Sequence, residues 1–259
     1  MTFGLAARVS WPIAALVAVG LSGCAATAPE RFALPSTTRL TLDGRVTRVD
    51  VYAPPGRPAA IAILAHGFAR HRATMAGHAS ALARDGLIAF VPDLPYFADI
   101  GGNARAIADL VRVATGSAYD LQTKRVVLVG FSAGALSALL AASTPGVAGL
   151  VALDPFDRPS GIGLEAARSL EVPVVLLRAP PSACNAGGIA GRWTTVLPRL
   201  AFDRIFDAAR HCDFEAPSDF ICRLACGRPD PDRQDRIGTA LRDAVRALLL
   251  LYLPDVPRS

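Results

Sequence analysis

The chemistry in this chain starts at Gly130-Phe131-Ser132-Ala133-Gly134. The run Val126-Val127-Leu128-Val129 before it is β-branched and reads as a buried strand. The Ala/Leu-rich run after it, 135–142, reads as a helix. A serine between two glycines at such a strand-to-helix turn has the pattern of a nucleophile elbow, which strains the serine backbone and points its hydroxyl outward. The two glycines let strand and helix pass closely. Without that context, the same residues would be a Gly-rich turn with a helix-capping serine.

A serine hydroxyl is a weak nucleophile near neutral pH, so it needs a base within hydrogen-bond reach and an acid to orient that base. The chain has four histidines: His66, His71, His78 and His211. Only His211 follows Ser132, and it lies after the last predicted strand, so it is the expected base. The expected acid is Asp154, at the end of the apolar run 147–153, with Asp157 as the second candidate. The next such loop, after the run 172–177, has no Asp or Glu before Asp203. The rival role for either aspartate is to bond nearby backbone amides. Acyl transfer also needs donors for a developing oxyanion. The backbone N–H of Ala133 follows the nucleophile directly. A second is expected from His66-Gly67-Phe68, after the apolar run 60–65, with Phe68 favoured and His66 structural.

The surrounding pattern places these residues. Segments 38–42 and 46–52 alternate around Asp43-Gly44, a strong hairpin signal. Strands are then expected at 60–65, 87–92, 126–129, 147–153, 172–177 and 203–208. Helices are expected at 75–85, at 103–115 with Asn103 as cap, at 135–142, at 164–170 and at 240–253. The segment 178–192 reads as a Pro-, Gly- and Ala-rich loop. Strands alternating with helices after a hairpin predict an α/β fold with a mostly parallel central sheet and helices on both faces. No insertion offers a large lid. Loops 92–102 and 155–163 are expected to wall the pocket, with Pro95, Tyr96, Phe97 and Phe156 as an apolar acyl site.

Four segments in order carry a resemblance: Ala65-His66-Gly67-Phe68, Gly130-Phe131-Ser132-Ala133-Gly134, Leu153-Asp154-Pro155, and His211-Cys212-Asp213-Phe214-Glu215 with its following cysteines. Over 38–253 the chain resembles the α/β-hydrolase superfamily, and within it the chlorophyllase and cutinase-like polyesterase branch. That resemblance implies an α/β-hydrolase fold and carboxylic-ester hydrolysis through an acyl-enzyme, with a Ser132-Asp154-His211 triad and no metal or organic cofactor. The substrate class so implied is a small-molecule, lipid or polyester ester. Serine in place of cysteine at 132 argues against a dienelactone hydrolase. Peptidase or acyltransferase chemistry on the same fold, and a catalytically dead binding lipoprotein, are the alternatives.

The start of the chain reads as a leader. Arg8 precedes the apolar run 11–21, which is short for a membrane span. Leu21-Ser22-Gly23-Cys24 resembles a bacterial lipobox. It implies a signal peptide over 1–23, cleavage before Cys24, acylation of Cys24, a tether over 24–37 and a catalytic domain over 38–259. Several acyl chains are needed for firm anchoring, since one binds only marginally. An ordinary secretory signal and a short membrane helix are the rival readings. The other four cysteines, Cys184, Cys212, Cys222 and Cys226, suggest two disulfides in an exported chain. Cys222 and Cys226 lie four apart on an expected helix, so each should reach Cys184 or Cys212 rather than the other. A metal site is the rival, without the tight pairs of a zinc ribbon.

Composition excludes other classes. With 52% hydrophobic and 19% charged residues, the chain is globular rather than disordered. Its formal net charge of +5 comes from arginines scattered singly, with no basic run, so nucleic acid is not an expected partner. The oligomeric state is left open.

Overall fold

A computed structural model of the chain describes residues 1, 35–116 and 120–251. The expected leader, Cys24 and most of the tether lie outside these residues. Strand β1 (Ser36–Leu42) pairs antiparallel with β2 (Arg45–Tyr52). The turn between them puts both Asp43 (φ 46°) and Gly44 (φ 73°) in the left-handed region, as a two-residue hairpin with the right-handed strand twist requires. Strand β2 is also antiparallel to β4 (Ile88–Pro92). The remaining strands are β3 (Ile61–Ala65), β5 (Val126–Phe131), β6 (Val147–Leu153), β7 (Val174–Arg178) and β8 (Leu200–Ile205). They run parallel to β4 in the order β1-β2-β4-β3-β5-β6-β7-β8.

Every residue of β3, β4, β5 and β6 is buried, which explains why these strands read as unbroken apolar runs. Alternation then divides each strand between two cores. Val126 and Leu128 face the core formed with α2 (Ile100–Ala114), α3 (Ala133–Ala141) and α4 (Ile162–Arg168). Val127, Val129 and Phe131 face the core formed with α1 (Ala76–Arg84) and α6 (Pro231–Leu251). Helix α6 presents Ile237, Leu241, Val245 and Leu248 inward, a stripe at helical spacing. Helix α5 (Phe220–Cys226) belongs to neither layer and lies between the last strand and α6. Among the described residues no helix is long and apolar enough to cross a membrane.

The expected α/β architecture is therefore present, with several boundaries moved. Helix α2 starts at Ile100 because Asp99 caps it, its carboxylate accepting the Gly102 N–H at 2.9 Å. Asn103, the expected cap, is inside the helix. Its amide clamps both backbone groups of Tyr96, at 3.0 and 2.8 Å. Strand β8 ends at Ile205, because Ala208 has a φ of 58° and cannot extend it. Helix α6 begins nine residues early, with Pro231 at its first position. The expected 178–192 loop gives way at its C-terminal half to a 3-10 segment, Ala183–Thr195, broken by left-handed residues at 186–188.

The closest packing is at the elbow. A Cβ on Gly134 would collide with the backbone carbonyls of Ala65 and His66, while one on Gly56 would meet nothing within 4 Å. Gly134→Ala is expected to cost about 3 kcal/mol of unfolding free energy. Gly56→Ala should stay within about 0.5 kcal/mol of the parent. Urea denaturation of both variants checks the contrast.

Candidate active site

Ser132 closes β5 and opens α3 with φ 53° and ψ −122°. Neighbouring backbone groups fix this strained conformation. Its N–H donates to the Leu153 carbonyl at 3.0 Å, and its carbonyl accepts from Ala135 at 3.0 Å and Phe156 at 3.2 Å, with a longer contact from the Leu136 N–H at 3.4 Å. The hydroxyl oxygen then lies 3.0 Å from His211 Nε2. His211 begins a 3-10 turn, His211–Phe214, beyond the end of β8, and its ring packs on Phe131 with centroids 4.6 Å apart.

The other ring nitrogen, Nδ1, lies 2.6 Å from Asp154 Oδ2. A carboxylate there requires Nδ1 to carry the proton, which leaves the Nε2 lone pair for the Ser132 hydroxyl. Asp154 follows β6 at φ 36° and is 2% exposed. A buried carboxylate needs donors, and it has them. The Ala179 N–H donates to Oδ1 at 2.9 Å, and the Asn185 amide lies 3.2 and 3.3 Å from the two oxygens. The structure thus decides between the two candidate acids. Asp157 is also buried, but it spends its oxygens on local amides and on a core indole. It accepts from the N–H groups of Arg158, Gly163 and Leu164 and from Trp193 Nε1 at 2.8 Å.

Asn185 was not foreseen. The only signal for it was a lone Asn in a small-residue loop. Its own amide oxygen accepts from the N–H groups of Ser182 and Gly188, which shape the loop that brings Nδ2 to Asp154. Two disulfides hold this region to α5. Cys184 pairs with Cys226, beside Asn185, and Cys212 pairs with Cys222, beside His211. Each member of the Cys222/Cys226 pair thus takes a different partner. The sulfurs of Cys212, Cys222 and Cys226 lie within 4.8 Å of one another, but as disulfides they present no thiolate to a metal. Such bonds form and persist in an oxidising compartment.

Phe68 and Ala133, expected to carry the oxyanion donors, both line the cleft over Ser132. Among the described residues the N–H groups of Phe68 and Ala133 meet no protein acceptor. His66 supports their turn: Nδ1–H donates to the Gly67 carbonyl and Nε2 accepts the Leu94 N–H, both at 2.9 Å. Burial pushes its pKa down, which keeps it the neutral ring this pairing needs. The cleft over Ser132 has a volume of about 370 Å³ and is walled by Phe68, Ala98, Ile100, Phe156 and the Cys184–Cys226 disulfide. Of the four expected acyl-site residues, Phe156 lines this cleft. Phe97 stacks on Phe68 with centroids 4.6 Å apart. Tyr96 and Phe97 line a cavity beside the cleft, together with Phe68, Ile100 and Ala133. The Tyr96 hydroxyl donates to the Asp43 carbonyl at 3.0 Å, and Pro95 lies toward β2.

A family profile described as the alpha/beta hydrolase family matches residues 62–257. The chain belongs to the α/β hydrolase family. Its fold is similar to that of a dienelactone hydrolase from Anabaena variabilis, at 18% identity and TM-score 0.63, covering 85% of this chain and 100% of the other. Est1E from Butyrivibrio proteoclasticus aligns at 14% identity and TM-score 0.64, covering 83% and 99%. A serine hydrolase without a lid from Xanthomonas campestris, XC6422, aligns at 17% identity and TM-score 0.58, covering 87% and 98%. No curated protein matches the sequence. As in an α/β hydrolase without a lid, no large insertion covers the cleft among the described residues.

The two aspartates separate experimentally. Asp154→Asn is expected to lower kcat toward an ester about 10⁴-fold, by disturbing the His211 tautomer. Asp157→Asn should leave kcat within about threefold while costing about 1 to 3 kcal/mol of stability. Steady-state kinetics beside thermal melting reads both.

Proposed function

We propose that this α/β hydrolase is a serine-dependent carboxylic-ester hydrolase of the chlorophyllase and cutinase-like branch, held at a membrane by a lipid on Cys24. One observation carries the enzymatic part: the continuous chain from Ser132 Oγ through the His211 ring to Asp154, at 3.0 and 2.6 Å, opening on an apolar cleft. In this reading His211 Nε2 takes the Ser132 proton as the oxygen attacks the ester carbonyl. Asp154 holds the tautomer and stabilises the imidazolium. The N–H groups of Phe68 and Ala133 receive the tetrahedral oxyanion, supported by their lack of any protein acceptor among the described residues. The alcohol leaves with the proton from His211. Water then enters and gives a proton to His211 Nε2 as its oxygen attacks the acyl carbon, and His211 returns that proton to Ser132 Oγ as the acid leaves.

The Phe68, Ile100 and Phe156 walls favour an acyl chain with an apolar body, while Arg70 and Arg158 bring positive charge to the same lining. The branch assignment is supported by the ordered motifs and by the cysteines that follow His211. The lipid anchor is supported by the lipobox-like Leu21-Ser22-Gly23-Cys24 and by the oxidising compartment that two disulfides require.

The test is hydrolysis of p-nitrophenyl esters from acetate to palmitate by the full chain beside its Ser132→Ala variant. Turnover should fall about 10⁴-fold or more in the variant, with the chain-length optimum sizing the cleft. Equal turnover in the two proteins would end the serine-hydrolase reading. For the anchor, the chain expressed in a bacterium with lipoprotein processing should partition into detergent and Cys24→Ala into water. Identical partitioning would remove the anchor.

A further inference from the structure

Arg70 and Glu215 sit on the two turns that the reaction must hold together, and the mechanism above uses neither. Arg70 closes the turn that carries Phe68, its N–H donating to the Gly67 carbonyl at 3.2 Å. Glu215 directly follows the 3-10 turn His211–Phe214. The Glu215 side chain is fully buried and that of Arg70 is 9% exposed. Arg70 Nε lies 3.0 Å from Glu215 Oε1, and Nη1 lies 3.6 Å from Asp219 Oδ1. Ser218 Oγ–H donates to the other Glu215 oxygen at 3.1 Å. Neither Oε1 nor Nη1 has an aligned hydrogen-bond partner among the described residues, so the contact is coulombic, in a region with little water.

Such a pair is a costly way to join two turns. Removing both ions from water offsets most of their attraction, and an apolar pair of similar volume would hold the segments as well or better. What an ion pair supplies is direction and register. Arg70 also lines the cleft with Ser132, Phe68 and His211, so its register bears on the reacting atoms. The main chain around Glu215 is fastened from elsewhere: Gln234 of α6 donates to its carbonyl at 2.7 Å, and His78 of α1 bonds the Phe214 carbonyl at 3.0 Å. Its side chain is what reaches the Phe68 turn.

We propose that Arg70 and Glu215 are positioning residues for acyl transfer, their buried ion pair setting the spacing between the Phe68 amide and the His211 ring. This rests on the roles given above to Ser132, His211 and Phe68. A tetrahedral intermediate must meet the oxyanion donor and the base at one carbon, and small misplacements of either are expensive.

The pair also titrates. The groups facing the Glu215 carboxyl are Arg70 from the Phe68 turn and Ser218 and Asp219 from the segment entering α5. Helix α6 brings the neutral Gln234, and α1 brings His78, whose pKa burial lowers. Burial raises the Glu215 pKa from 4.5 to about 7, with Arg70 opposing and Asp219 reinforcing the rise. The folded state therefore holds a proton that the unfolded state has lost between these values. Stability falls as pH rises through that window and is level above it. Activity should move the other way, because the pair forms only when Glu215 ionises.

The experiment measures kcat and KM for p-nitrophenyl butyrate from about pH 5 to about pH 9, with melting temperatures in parallel. The full chain is compared with Ser132→Ala, Glu215→Gln, Arg70→Lys and Arg70→Met. The parent should lose about 10-fold in kcat as pH falls through about 7, where Glu215 takes up its proton. Glu215→Gln should lack that step and show a kcat about 10-fold below the parent's high-pH plateau, an almost unchanged KM and a melting temperature that no longer declines across the window. Arg70→Lys should recover part of what Arg70→Met loses, and this series decides the matter if Glu215→Gln does not fold. Parental kcat and the same step in the pH profile in Glu215→Gln and Arg70→Met would overturn the positioning pair and leave the esterase intact. A rise in KM alone would also overturn it, by making Arg70 a substrate contact. Turnover independent of Ser132 would remove the esterase reading itself.

Discussion

Ser132 holds a φ of 53° because its neighbours leave its backbone no alternative. Its N–H is committed to β6 through Leu153, and its carbonyl is shared by Ala135 and Phe156. Gly130 and Gly134 let β5, α3 and the end of β3 approach so closely that a methyl group at either position would strike backbone. The strain is offset by the sheet on one side and the helix on the other. Releasing the turn would displace the hydroxyl, the Ala133 amide and the Phe131 ring on which His211 rests. The rest of the site is arranged around that fixed point.

The chain order of the catalytic groups follows the order of strands across the sheet. Ser132 leaves β5, Asp154 leaves β6, the Asn185 loop follows β7, and His211 follows β8. Adjacent parallel strands deliver their ends to one edge, and from beyond β8 the His211 turn reaches back along that edge to Asp154 and Ser132. The outermost pieces are the least supported by the core, and the covalent bonds fall there. Both disulfides end on α5, one tying the Asn185 loop and the other the His211 turn. By chain entropy, a loop closed over 42 residues is worth about 4 kcal/mol, so α5 acts as a strap across the site.

Much of this was legible in the residues. The buried strands announced themselves as runs of Val, Ile, Leu and Ala, and Asp43-Gly44 marked its hairpin. Ser132, Asp154 and His211 were found because motif, strand ends and the scarcity of histidine narrow the choices. The misreadings share a cause: a local signal was outweighed by a contact from elsewhere. Asn103 has the chemistry of a cap but is taken by Tyr96, while Asp99 caps the helix. The polar residues 232–236 hid the start of α6, whose apolar stripe only begins at Ile237. Asn185 and the Arg70–Glu215 pair were hidden for the same reason, since their roles exist only once distant segments meet.

The most direct test of the central claim is to treat the folded, oxidised chain with a p-nitrophenyl alkylphosphonate and map the adduct by peptide mass spectrometry. The account predicts one phosphonyl group per chain, on Ser132, formed with release of one equivalent of p-nitrophenol. A folded protein that takes up no label, or takes it up at another residue, would contradict it.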